Sequence, residues 1–160
     1  MEYELYLVSQ INQTTLKYML SEIVGSVVGE QVKISADHDD DEYCYVSCQY
    51  FSASIETNDI YDVEYLREEY KMNIDTEISI QLITKTYEEG IRALFVVFGK
   101  LLKKIKGDMV LEENGSRQLF MKKGDVLIVN TKLHEYQKQI MTKELLNLLS
   151  HPYIEKDLSE

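Results

Sequence analysis

The sequence is short of the residues that build many familiar sites: two cysteines, three histidines, one proline and no tryptophan in 160 residues. Cys44 and Cys48 stand four apart in a stretch, 43–51, that reads as one strand. That spacing sets their Cα atoms about 13 Å apart, whereas a disulfide closes only below about 7 Å. Both are therefore expected as reduced thiols in the core. None of His38, His134 and His151 lies at zinc-ligand spacing to another histidine or to a cysteine, which argues against a structural zinc. The seven glycines form neither a phosphate-cradling loop nor a dinucleotide fingerprint. No cofactor, no metal and no catalytic residue is expected. No run of about 18 apolar residues occurs, and no basic segment followed by an apolar one opens the chain, so neither a membrane span nor a signal peptide is expected. The chain is read as cytoplasmic.

Acid is present in excess. The formal net charge is −11, and it is unevenly placed. Residues 1–80 hold 17 acidic and 4 basic side chains, a net of −13, while residues 81–160 hold 11 and 13, a net of +2. Such a field draws basic partners and speeds encounter with them, and it repels nucleic acid and anionic membrane surfaces. It also keeps a protein soluble, and charge alone does not choose between these roles. A hydrophobic content of 44% fits a globular fold, and the length fits one domain over 1–160.

Hydrophobic periodicity predicts an α+β fold: a mostly antiparallel sheet with a long helix packed on one face, then a C-terminal three-stranded meander and a terminal helix. Residues 2–9 alternate as a strand, with Tyr3, Leu5 and Leu7 on one face and Glu2, Glu4 and Tyr6 on the other. Asn12 is a fitting helix N-cap, with Ile11 and Leu16 at the staple positions. Gly25 or Gly29 ends that helix. Residues 31–35 read as a short strand, 43–51 as a strand with Cys44, Val46, Cys48 and Tyr50 on one face, 63–70 as a short helix and 77–83 as a strand. Residues 87–105 form the clearest helix, with a Thr86–Glu89 capping box, a buried stripe of Ile91, Leu94, Phe95, Phe98, Leu102 and Ile105, and lysines at its negative end. Gly107 reads as its stop. Asn114-Gly115 signals a tight hairpin, which would set Glu112 opposite Arg117 and Val110 opposite Leu119. Residues 133–149 return to helix up to His151-Pro152, and the last eight residues read as frayed.

The acidic run Asp37, Asp39, Asp40, Asp41 and Glu42 starts like a calcium loop but fails it. Glu42 stands where that loop needs glycine and Cys48 where it needs a bidentate glutamate. A solvated loop or a docking loop fits better. The twelve tyrosines offer large contact area at low entropic cost. Tyr43 and Tyr45 follow the acidic loop, and Tyr61 and Tyr65 are interleaved with acid in a segment that includes Glu68 and Glu69. These eleven residues (Asp37, Asp39, Asp40, Asp41, Glu42, Tyr43, Tyr45, Tyr61, Tyr65, Glu68 and Glu69) are the candidate partner-binding residues. Half-buried structural tyrosines are the plain alternative.

The run Tyr87-Glu88-Glu89-Gly90, the long helix to Leu101-Leu102, Gly107-Asp108-Met109-Val110-Leu111, Glu113-Asn114-Gly115, Leu119-Phe120-Met121-Lys122, Gly124 and Leu127-Ile128-Val129-Asn130 resembles the SitI3-like family of bacterial polymorphic-toxin immunity proteins. The opening strand and helix extend the likeness, whereas 31–73 and the chain beyond 131 depart from it. The resemblance implies a cytoplasmic immunity protein that binds a cognate toxin domain, expected to be basic, and neutralises it by occlusion without catalysis. It marks no contact residue. Two other classes stay open: a self-associating regulatory module, present as a homodimer, and a small carboxylate-dependent hydrolase.

Overall fold

The computed structural model describes residues 1–29, 32–36, 44–115 and 118–159. In chain order the elements are β1 (Glu2–Leu7), α1 (Gln13–Val28), β2 (Lys33–Ile34), β3 (Tyr45–Ser47), β4 (Phe51–Glu56), α2 (Val63–Tyr70), β5 (Thr76–Leu82), α3 (Tyr87–Lys104), β6 (Met109–Glu113), β7 (Gln118–Lys123), β8 (Val126–Asn130), α4 (Glu135–Ile140), α5 (Lys143–Leu148) and β9 (Tyr153–Lys156). The strands form one sheet in the order β2-β3-β4-β5-β1-β6-β7-β8-β9. Every neighbouring pair is antiparallel except β8 and β9. This is the α+β architecture expected, with the long helix α3 and the β6–β7–β8 meander in place.

Strand alternation divides the apolar residues between two faces. Tyr3, Leu5 and Leu7 of β1 join Phe51, Ile55, Ile78 and Phe120 under α1, α3 and α5, where α3 buries Leu94, Phe95 and Phe98. A fully buried Phe or Leu side chain contributes about 1.5–3 kcal/mol. Tyr6, one residue out of phase, faces the other way and joins Leu66 of α2, Met72, Ile74 and Val110. The helical layer is thus complete on one face, while α2 covers only part of the other. Among the described residues no helix is long and apolar enough to cross a membrane.

Local chemistry explains several boundaries. Asn12 accepts a 2.8 Å hydrogen bond from the Thr15 amide and starts α1, and Gly29, at φ 67°, ends it. The α3 terminus uses a device that sequence did not suggest. Lys122, 3% exposed, donates to the carbonyls of Ile105 (2.5 Å) and Leu102 (3.4 Å), placing a cation on the helix's negative end.

Six expectations need correction. Residues 43–51 are not one strand: the Cys48 amide donates to the Phe51 carbonyl (2.9 Å) and folds the chain into the β3–β4 hairpin. Val46 then faces Ala53, and Cys44 and Cys48 are half-buried thiols packed against the core. The Thr86–Glu89 capping box does not form. The chain enters α3 through a 3-10 turn, Thr84–Thr86, closed by the Thr86 amide on the Ile83 carbonyl, and the buried Thr86 hydroxyl has no hydrogen-bond partner among the described residues. Asn114 and Gly115 take the expected positive φ (50° and 65°), but a β-bulge shifts the pairing, so Val110 faces Met121 and Glu112 faces Gln118. The bulge lets Leu119 and Phe120 both enter the core; Arg117 lies outside the described residues. Residues 133–149 split at Met141 because Thr142 caps a new helix, accepting from the Leu145 amide (3.2 Å). The chain end is not frayed throughout. Tyr153–Lys156 pairs in parallel with β8, and the Leu158 amide donates to Asn130 Oδ1 (3.1 Å). Finally, α3 ends on an extended Ile105, so Gly107 is not its stop. Gly107 instead passes so close to Val8 that a Cβ would sit 1.7 Å from the Val8 carbonyl oxygen.

Candidate partner-binding face

The four central strands β4, β5, β1 and β6 contain no lysine, arginine or histidine. Their inward positions are apolar apart from Thr76 and Glu113. Their outward positions carry Glu56, Glu77, Glu2, Glu4 and Glu112, separated by Ser52, Ser54, Ser79 and Gln81. Pairing sets like charges opposite one another: Glu4 faces Glu112 across β1–β6, and Glu56 faces Glu77 across β4–β5. Directly opposed like charges on a sheet are destabilising.

The surroundings register that strain. Burial raises the Glu4, Glu77 and Glu112 carboxyls above their ordinary value of 4.5. Neighbouring carboxylates add to it, Glu2 and Glu77 at Glu4, Glu56 at Glu77, and Glu4, Glu77 and Glu69 at Glu112. The hydrogen bonds from the Gly115 amide to Glu4, from the Ser79 hydroxyl to Glu77 (3.2 Å) and from the Tyr70 hydroxyl to Glu112 act against the rise without cancelling it. Asp75, at the β5 end, is the opposite case. Burial pushes it up, but the Ser9 and Gln10 amides and the Thr76 and Ser9 hydroxyls prevail and hold it below 3.8.

The sign of the pH dependence follows. A carboxyl whose folded pKa is raised binds its proton more tightly in the native state, so stability falls as pH rises above the unfolded value near 4.5. Asp75 contributes in the reverse sense, losing stability as pH falls below 3.8. Thermal melts should therefore give a higher Tm at about pH 4.5 than at about pH 7.5, and Glu4→Gln with Glu77→Gln should flatten the difference. A Tm that rises with pH over this range would contradict the assignment.

Two hollows mark this face. One, of about 380 Å³, lies over β4, β5 and β1 and is lined by Glu2, Glu4, Tyr45, Ser52, Ser54 and Ser79. The other, of about 460 Å³, lies where α2 overhangs β6 and β7 and is lined by Tyr61, Tyr65, Glu69, Tyr70 and Glu112, among others. Arg67, the one cation within α2, is tied to Glu64 (2.8 Å) and to the Ile74 carbonyl (3.0 Å).

The sequence-predicted residues distribute between these hollows. Tyr45 lines the first; Tyr61, Tyr65 and Glu69 line the second; Glu68 is exposed on α2 and lines neither. The two hollows share no lining residue, so Tyr45 is not brought together with Tyr61 and Tyr65. Asp37, Asp39, Asp40, Asp41, Glu42 and Tyr43 lie outside the described residues. Sequence reasoning missed Glu2, Glu4, Glu56, Glu77 and Glu112. The alternation of β1 put Glu2 and Glu4 on one face, but only strand order assembles all five. Among the described residues no group of three or more His, Cys, Asp or Glu is placed to hold a metal ion. No family model matches this chain, and no curated protein and no solved structure is significantly similar to it.

Proposed function

We propose that this protein works by binding, docking a basic protein domain on the acidic outer face of its sheet. The partner in this reading is a toxin domain, blocked by occlusion in the cytoplasm of the cell it would harm, without catalysis. One observation carries the reading: five outward carboxylates on four adjacent strands that hold no cationic side chain. The free protein bears the cost of their mutual repulsion, and a basic partner removes it. Complementary fields of this kind also raise the association rate. The toxin as partner rests on the likeness to the SitI3-like immunity proteins. A specific feature favours a second reading, self-association. β9 lies at the sheet edge with Ile154 53% exposed, and edge strands pair readily with other chains.

Affinity capture from the native lysate at about 50 mM and about 500 mM salt tests the proposal. The expected result is one stoichiometric basic partner at low salt, weakened or lost at high salt, with the free protein sedimenting as a monomer. A dimer that retains no partner at either salt would replace this reading with the second.

A further inference from the structure

The hollow under α2 differs from the rest of the acidic face in being walled by aromatic rings. Tyr6, Tyr61, Tyr65 and Tyr70 line it together with the carboxyls of Asp62, Glu69 and Glu112, and its described lining contains no lysine, arginine or histidine. Its volume, about 460 Å³, falls in the range of small-ligand pockets. Tyr61 and Tyr65 are 84% and 62% exposed, an unusual placement for large rings that a ligand would relieve. Glu112 is the buried member, 7% exposed, and among the described residues its one hydrogen bond comes from the Tyr70 hydroxyl. Gln118 closes the wall at the β7 end, where its Nε2 donates to the Leu158 carbonyl (3.1 Å). Ring faces attract cations, and a planar cation with several N–H donors is what carboxylates recognise best.

We infer that this cleft is a binding site for a guanidinium group, filled by an arginine side chain of the protein partner. The inference rests on the docking reading above for the source of the arginine, but not for the chemistry of the cleft. Tyr61 and Tyr65 provide ring faces, Glu69 and Glu112 provide charge, and the partner's main body covers the neighbouring carboxylates of β1 and β5.

The test titrates N-acetyl-arginine amide into the isolated protein, with N-acetyl-citrulline amide as a neutral probe of the same shape, following backbone amide shifts by NMR. Arginine amide should give saturable shifts at Tyr61, Tyr65, Gln118 and Leu158 with a dissociation constant on the order of 1 mM. Citrulline amide should bind at least about tenfold more weakly. Glu112→Gln should weaken arginine amide about tenfold and Tyr65→Ala, at an exposed position, about threefold. Equal binding of the two probes, or saturable shifts only over β4 and β5, would overturn the site. A captured partner that binds Tyr65→Ala and Glu112→Gln as tightly as the wild type would overturn the partner's arginine as the occupant. Saturable arginine binding in a protein that captures no partner would leave the site standing and sink the docking reading instead.

Discussion

Gly107→Ala should destabilise the protein by about 3–5 kcal/mol, a large part of the roughly 5–15 kcal/mol that holds a domain together. The added Cβ would lie 1.7 Å from the Val8 carbonyl oxygen and 2.9 Å from its carbon. Both are backbone atoms, so no rotamer change relieves the clash. Val8 in turn donates its amide to the Asp108 carbonyl (2.9 Å), which continues the β1–β6 pairing one step past Leu7 and Met109. Moving Val8 away therefore breaks the seam between the two central strands. For a chain of this size the expected fall in Tm is about 6–20 °C. Gly124→Ala is the control. Its φ is +61° but nothing lies within 4 Å of the added Cβ, so the loss should stay near about 1 kcal/mol. Equal losses in the two variants, read by thermal melting, would show that the Val8 contact is not what demands glycine.

Reversing charge at Glu4 and Glu77 together should weaken the captured partner by at least about two orders of magnitude while leaving the free fold as stable as before. Inside the molecule the change is benign. Glu4 faces Glu112 and Glu77 faces Glu56, so a lysine at either position converts a repulsive pair into an attractive one, worth roughly 0.2–1 kcal/mol. Against a basic partner the same change removes two attractions and adds two repulsions in the middle of the face. Truncating one member of a close interfacial charge pair alone costs roughly 2–5 kcal/mol. The matched control reverses Glu22 and Glu89, both exposed on the helical side in α1 and α3. It alters net charge equally, so a comparable loss there would assign the effect to the overall field rather than to the sheet face.

Much of the fold was legible because its signals are local. The Asn12 cap, the α3 stripe, the α2 helix and the positive-φ turn at Asn114-Gly115 each depend on a few neighbouring residues. What failed depended on distant partners. The β3–β4 turn at Cys48 carries no glycine or proline, and the run of strand-forming residues through 43–51 hid it. β9 exists because α4 and α5 return the chain parallel to β8, a crossover that four residues cannot announce. The bulge at Leu119 and the close pass of Gly107 over Val8 are likewise set by the strand beside them. The candidate face lies between these cases. Outward Glu2 and Glu4 were readable from alternation in β1, but their meeting with Glu77, Glu56 and Glu112 requires β4, β5, β1 and β6 to lie side by side, and their sequence positions span more than half the chain. The tyrosines at 61 and 65 were singled out from sequence and line the cleft, yet its ring walls also needed Tyr6, Tyr70 and Glu112 from three separate elements.

The most direct measurement is the dissociation constant of the captured partner for the wild type and for the Glu4→Lys, Glu77→Lys protein, side by side at about 50 mM salt, with Tm recorded for both. If the sheet face binds the partner, the variant should bind at least about a hundredfold more weakly at an equal or higher Tm. Equal affinity in the two proteins would place the partner elsewhere and contradict the acidic face as the docking surface.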